Sequence, residues 1–290
     1  FRSNDTQYGI PVDMNGYGVF YNKDVFEENN IEIPKTLSEL KAVCETLQEK
    51  GITPFGAPFS ESWCTIQYIS VPNYIISISK DKNWFVDKMN LSSSFADDAG
   101  FKEAMQILKD FAPYYGDDPF ATTWNDTLSG LATGEVAMTV NGSYTIAGVT
   151  SINPDARIGA FAFPTSEDPS GAVVVMKPGS SFCVYNSSDA DKVAAAKGFL
   201  SFLTSEEAAV QFVELTSGIT AHRVDTKTVE GIDDINAYTG DSVYVNAAVT
   251  EFSMEYLVAE YEQIVSYLMG GIADTDELAK KLDEAFATIE

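Results

Sequence analysis

Three places in the chain set a flat ring beside a planar amide or carboxylate. Trp63 follows Glu61 and Ser62, Trp124 is followed by Asn125 and Asp126, and Tyr144 follows the Asn141-Gly142-Ser143 turn. Each falls where a strand or loop gives way to a helix. In open α/β sheets such strand-end junctions are where ligands sit. A sugar ring has a face of C–H groups and a rim of hydroxyls, so it is held by aromatic faces together with planar hydrogen-bonding groups. Each aromatic taken alone reads first as core, because tryptophan is mostly buried. Three together, each beside a polar planar group, point to recognition of a polyhydroxylated ring.

Bond-breaking chemistry finds little support. The single histidine, His222, would have to serve alone in a triad or a metal site. It reads as a surface or hinge imidazole. No P-loop, G-x-G-x-x-G or G-x-S-x-G pattern occurs, and no D-x-D-x-D-G calcium loop. Cys44, Cys64 and Cys183 are an odd, scattered set, indicating neither zinc nor a disulfide framework. No catalytic residue, metal or cofactor is implied. A carboxylate pair acting on a glycosidic bond stays open, but any two of the 43 acidic residues are most simply solvated surface. A binder of a non-sugar solute such as a polyamine or peptide also stays open, since Glu61 and Asp126 would suit a cation.

The elements that must position these groups follow from patterning. Lys plus Arg is 18 and Asp plus Glu is 43, a formal charge of −25, which repels nucleic acid. An apolar fraction of 45% provides a large core. No apolar run reaches the roughly 18 residues of a membrane span, and no signal-peptide pattern opens the sequence. Strands are expected over 4–12, 17–21, 136–140, 157–163 and 182–185. Thr36 with Glu39 predicts a capped helix ending at Gly51, and Ser188 with Asp191 another, with Val193, Ala196, Leu200 and Leu203 as its apolar seam. Further helices are expected over 63–79, 101–111 and 123–132. Others begin at Thr204 and stop at Gly218, and run over 256–269 and 275–289. Strands alternating with helices predict an α/β fold.

Several motifs in order carry a resemblance. Tyr8 to Asp13 (YGIPVD), Tyr21 to Phe26 (YNKDVF), Ile33 to Thr36 (IPKT), Gly134 to Met138 (GEVAM) leading into Asn141-Gly142-Ser143, and Phe163-Pro164 are similar to the family 1 extracellular solute-binding proteins of bacterial ABC transporters, the maltose-binding-protein-like group. The resemblance implies a type II periplasmic-binding-protein-like fold with several hinge crossings. It assigns residues 13–178 and 232–290 to the larger C-terminal lobe, and 1–12 and 179–231 to a remnant of the N-terminal lobe. About the first hundred residues of the family pattern, most of the smaller lobe, have no counterpart here. It implies a carbohydrate ligand, a permease partner, and a cell-surface lipoprotein or periplasmic location, with any lipid anchor outside this sequence. Trp63, Trp124 and Tyr144 fall where stacking residues stand, and Glu61 and Asn125 where sugar hydroxyls are bonded. Asp13 and Asn15 fall at the first inter-lobe crossing, and Tyr256 on the penultimate helix is a further ligand candidate. An incomplete lobe would leave an apolar face exposed, which implies association.

Overall fold

The computed structural model describes residues 2–3, 6–81, 83–216, 218–221, 228–245 and 252–289. His222 lies outside the described residues, as do Asn4 and Asp5 of the first expected strand.

The elements run β1 (Arg2–Ser3), β2 (Thr6–Gln7), β3 (Ile10–Pro11), β4 (Asp13–Asn22), α1 (Lys23–Glu28), α2 (Leu37–Glu49), β5 (Thr53–Phe55), α3 (Ser62–Ile76), α4 (Trp84–Met89), α5 (Ala99–Asp110), α6 (Trp124–Thr133) and β6 (Val136–Gly142). They continue with α7 (Tyr144–Ile152), β7 (Ile158–Phe161), β8 (Val174–Pro178), β9 (Ser181–Phe182), α8 (Ala190–Leu203), α9 (Glu206–Thr216), β10 (Ile219–Thr220), α10 (Glu230–Asn236), β11 (Val243–Val245), α11 (Met254–Leu268) and α12 (Thr275–Phe286). None of the described helices is long and apolar enough to cross a membrane.

The sheet is organised around β4, in the order β11-β8-β4-β6-β5. One edge of β4 is shared by β8, with Tyr17 opposite Val175, and by β7, with Val19 opposite Phe161. The other edge takes β6 over Tyr17 to Tyr21, and β10 over Asp13 and Met14. Gly18 permits this crowding, since a Cβ there would stand 2.6 Å from the Phe161 carbonyl oxygen. Side chains alternate across the sheet. Tyr17, Val19 and Tyr21 join the core formed with α2, α3, α5, α11 and α12, where Phe55, Tyr68, Phe101 and Phe286 pack. Phe20 enters a second cluster with Leu131, Ile146, Val149, Ile158 and Ile232. Helices therefore cover both faces, as the alternation of elements predicts.

Several local expectations change. In place of one strand over 4–12, the described residues of that segment form two two-residue strands, β2 and β3, and the strand over 182–185 shrinks to β9. Pro11, paired with Ser181, has no N–H to extend that ladder. Thr36 accepts from the Glu39 N–H, but Glu39 returns its carboxylate to the Lys35 N–H, one residue earlier than a capping box requires. The N-cap of α8 is Asp189, whose carboxylate accepts from Asp191 and Lys192, in place of Ser188. A carboxylate there also meets the positive end of the helix. The seam expected of α8 is not buried: none of its residues is.

Candidate ligand-binding site

Three helix starts converge. Trp63 is the second residue of α3, and Trp124 the first of α6, whose N-cap Thr123 forms a full capping box with Asp126. Tyr144 opens α7 directly from the end of β6. The Trp63 and Trp124 ring centroids stand 5.3 Å apart at 71°. Tyr144 lies 6.3 Å from Trp63 and 6.2 Å from Trp124. Tyr17, across the β4–β6 ladder, backs Tyr144 edge-on at 6.4 Å. Trp63 is 40% exposed, while Trp124 and Tyr144 are half-buried. The arrangement is an accessible aromatic platform with a fixed tilt between its rings.

Polar groups bond the Trp63 and Tyr144 side chains and the Trp124 backbone. Glu61 Oε2 accepts from Trp63 Nε1 at 2.8 Å, and Glu61 Oε1 accepts from the Trp124 backbone N–H at 2.8 Å. The loops carrying them are tied together, with Ser60 Oγ donating to the Thr122 carbonyl and the Phe59 N–H to that of Pro119. Tyr144 donates its hydroxyl to Asn141 Oδ1, and burial holds that phenol well above its ordinary pKa. The polar atoms of the Trp63 and Tyr144 side chains are thus engaged within the protein.

The other expected site residues divide. Asn125 is exposed beside Trp124. Asn15 accepts from Ser143 Oγ at 3.2 Å, which joins the start of β4 to the residue before Tyr144. Asp13 is buried and accepts from the Ser180 N–H; burial raises its pKa despite that bond. Tyr256 is placed elsewhere. It packs on Phe252 and Phe286, donates to the Met89 carbonyl, and has no ring contact with the platform among the described residues.

Asn141, readable in the sequence as the amide of the turn before Tyr144, fixes that ring. Lys177 carried no sequence signal of its own. It extends its ammonium over the rings of Tyr17 and Tyr74, at 5.4 and 5.1 Å, from the strand position opposite Asn15. The described residues contain no group of three or more His, Cys, Asp or Glu side chains that could hold a metal.

The fold is a layered α/β sheet, with the three aromatic rings gathered at helix starts that follow its strands and loops. The chain belongs to the family of bacterial extracellular solute-binding proteins, whose model matches residues 1–224. It is 27% identical over 183 residues to the multiple sugar-binding protein of Streptococcus mutans, an alignment covering 60% of this chain and 42% of that one. The match therefore spans less than half of that relative's length. Among solved structures, a chitin oligosaccharide binding protein superposes with a TM-score of 0.82 at 17% identity, over 99% of this chain and 72% of that one. The protein RafE in complex with raffinose gives 0.80 at 21% identity, over 98% and 73%. These likenesses establish the type II periplasmic-binding-protein fold.

Proposed function

We propose that this chain is the carbohydrate-recognising part of an ABC-importer receptor, binding a sugar or oligosaccharide without breaking a bond in it. The observation that carries the reading is the convergence of Trp63, Trp124 and Tyr144 within 5.3–6.3 Å of one another at an accessible helix-start surface. Pyranose C–H faces stack on such rings, each aromatic contact adding about 0.5–1.5 kcal/mol beyond the area it buries. Asn125 and Asn15 are the amides placed to select among hydroxyl patterns. The sugars bound by structural neighbours, raffinose and chitin oligosaccharide among them, support this class of ligand.

The acids near the platform favour binding over hydrolysis. Glu61 has both oxygens on N–H donors, and Asp126 Oδ2 accepts from the Thr123 N–H and hydroxyl. Glycoside cleavage needs two carboxyl groups free to act on opposite sides of one bond. In the full-length receptor, residues 13–178 and 232–290 form the larger lobe, and 1–12 and 179–231 contribute to the smaller one, with closure between them recognised by a permease outside the cytoplasmic membrane.

Calorimetric titration of the full-length protein against raffinose, mannobiose, chitobiose and spermidine tests the reading. Saturable heat with at least one sugar, lost in Trp63→Ala, is expected. Heat with spermidine alone, or release of monosaccharide during incubation, would overturn it.

A further inference from the structure

Glu61 stands at the N-cap of α3, yet its side chain makes no capping bond to its own helix. N-cap side chains ordinarily satisfy the unpaired N–H groups of the turn they begin. Here the carboxylate is turned away to one indole N–H and to the first N–H of α6, 63 residues further on. We propose that Glu61 is the positioning residue of the aromatic platform: by bridging Trp63 and Trp124 it fixes the angle between the two indoles before any ligand arrives. The use of that platform for sugar rests on the function proposed above; the bridge itself does not.

The physical case has three parts. Trp63 is the most exposed of the three rings, and an indole at a helix start has several rotamers unless something holds it. A bond from its N–H to an ionised carboxylate is stronger than a neutral one. The second oxygen accepts an N–H that α6 cannot satisfy internally, at the positive end of that helix, so the anchor is itself anchored. The Tyr144 hydroxyl is held by Asn141, so two of the three rings are tied through their own polar atoms and the third, Trp124, through its backbone N–H. A platform set in advance does not lose side-chain freedom when a ligand docks.

The test begins with the ligand-free protein. Trp63 and Trp124 are close enough to couple, so near-ultraviolet circular dichroism reads their mutual angle, with far-ultraviolet dichroism reporting the fold. Glu61→Gln keeps one acceptor oxygen and should reduce the indole signal in part; Glu61→Ala should abolish the coupling while leaving the far-ultraviolet spectrum intact. If Glu61→Ala fails to fold, Glu61→Gln decides alone. Titration with raffinose is then expected to weaken about tenfold in Glu61→Ala, but less than threefold when the same change is made in a Trp63→Phe background, which has no indole N–H to hold. An unchanged ligand-free spectrum in Glu61→Ala overturns the proposal, whatever the affinity does. An equal loss in both backgrounds also overturns it and makes Glu61 a direct ligand contact. Should the parent protein bind no sugar, the function reading fails while the spectra still decide the bridge.

Discussion

The Tyr144 hydroxyl donates to Asn141 Oδ1 at 2.5 Å, across a single turn of chain where β6 becomes α7. The same oxygen accepts from the Gly142 N–H at 2.9 Å, so the amide fixes both the turn and the ring. The phenol group therefore serves the fold, which leaves the ring face for the proposed sugar contact. Tyr144→Phe is expected to cost about 1 kcal/mol in denaturant unfolding while changing sugar affinity less than threefold. Tyr144→Ala should weaken binding by about 0.5–1.5 kcal/mol in calorimetry. Equal affinity losses in both variants would place the hydroxyl on the ligand.

Glu260 is 5% exposed on α11, on the same helical face as Ile264 and Tyr267. Burial pushes its carboxyl up to about 8. The folded state thus keeps a proton that the unfolded chain releases near its ordinary value of 4.5. Stability from this site is full below about pH 4.5 and falls as pH rises toward 8, with a slope approaching 1.4 kcal/mol per pH unit. Glu260→Gln removes the titration without changing shape. Its melting temperature should match the parent near pH 5 and exceed it at pH 8; parallel pH profiles would refute the assignment.

How much of this was legible in the sequence varies by element. Helices with their own punctuation were readable: Thr36 begins α2, Thr123 begins α6, and Gly270 follows α11 with φ +84°. The pairing of β4 was not, because its residues from Tyr17 onward are buried on both faces and show no alternation that would set a register. Short elements such as β5, β11 and α10 depend on their neighbours for stability, so no local pattern announces them. The three platform rings were recognisable by type and by their polar neighbours. Their convergence depends on sheet order, which no spacing along the chain encodes, and the same is true of the Glu61 bridge. Tyr256 illustrates the converse: its residue type suits a binding site, but the Phe252–Phe286 cluster takes it.

Asp98 gathers donors from three directions. It accepts from the Phe101 N–H at 2.9 Å and Trp84 Nε1 at 2.6 Å, and pairs with Lys88 at 3.2 Å. Desolvation alone would raise its pKa, but these partners outweigh it and hold the carboxyl below its ordinary value. The stabilisation is present above pH 3.8 and is lost as pH falls through the depressed value. Asp98→Ala leaves the buried Lys88 ammonium without its counter-ion and should cost about 3–5 kcal/mol by denaturant unfolding. Replacing Lys88 with Met as well should recover part of that loss, because no unpaired charge then remains; a double variant no more stable than Asp98→Ala would contradict this.

α8 presents Phe199 and Phe202, 57% and 53% exposed with rings 6.4 Å apart, on a helix none of whose residues is buried. Large apolar side chains gathered in this way gain about 1.5–3 kcal/mol each when removed from water. As the 290-residue polypeptide, the protein is expected to associate with a second copy through this face, opposed by the self-repulsion of its net charge of −25. Added salt should therefore strengthen association, since it screens the charges and leaves the apolar contact in place. Light scattering across a concentration series checks this directly. Phe199→Ser with Phe202→Ser should raise the dissociation constant at least about tenfold. A monodisperse monomer for the unsubstituted chain at high salt would show that this face needs no partner.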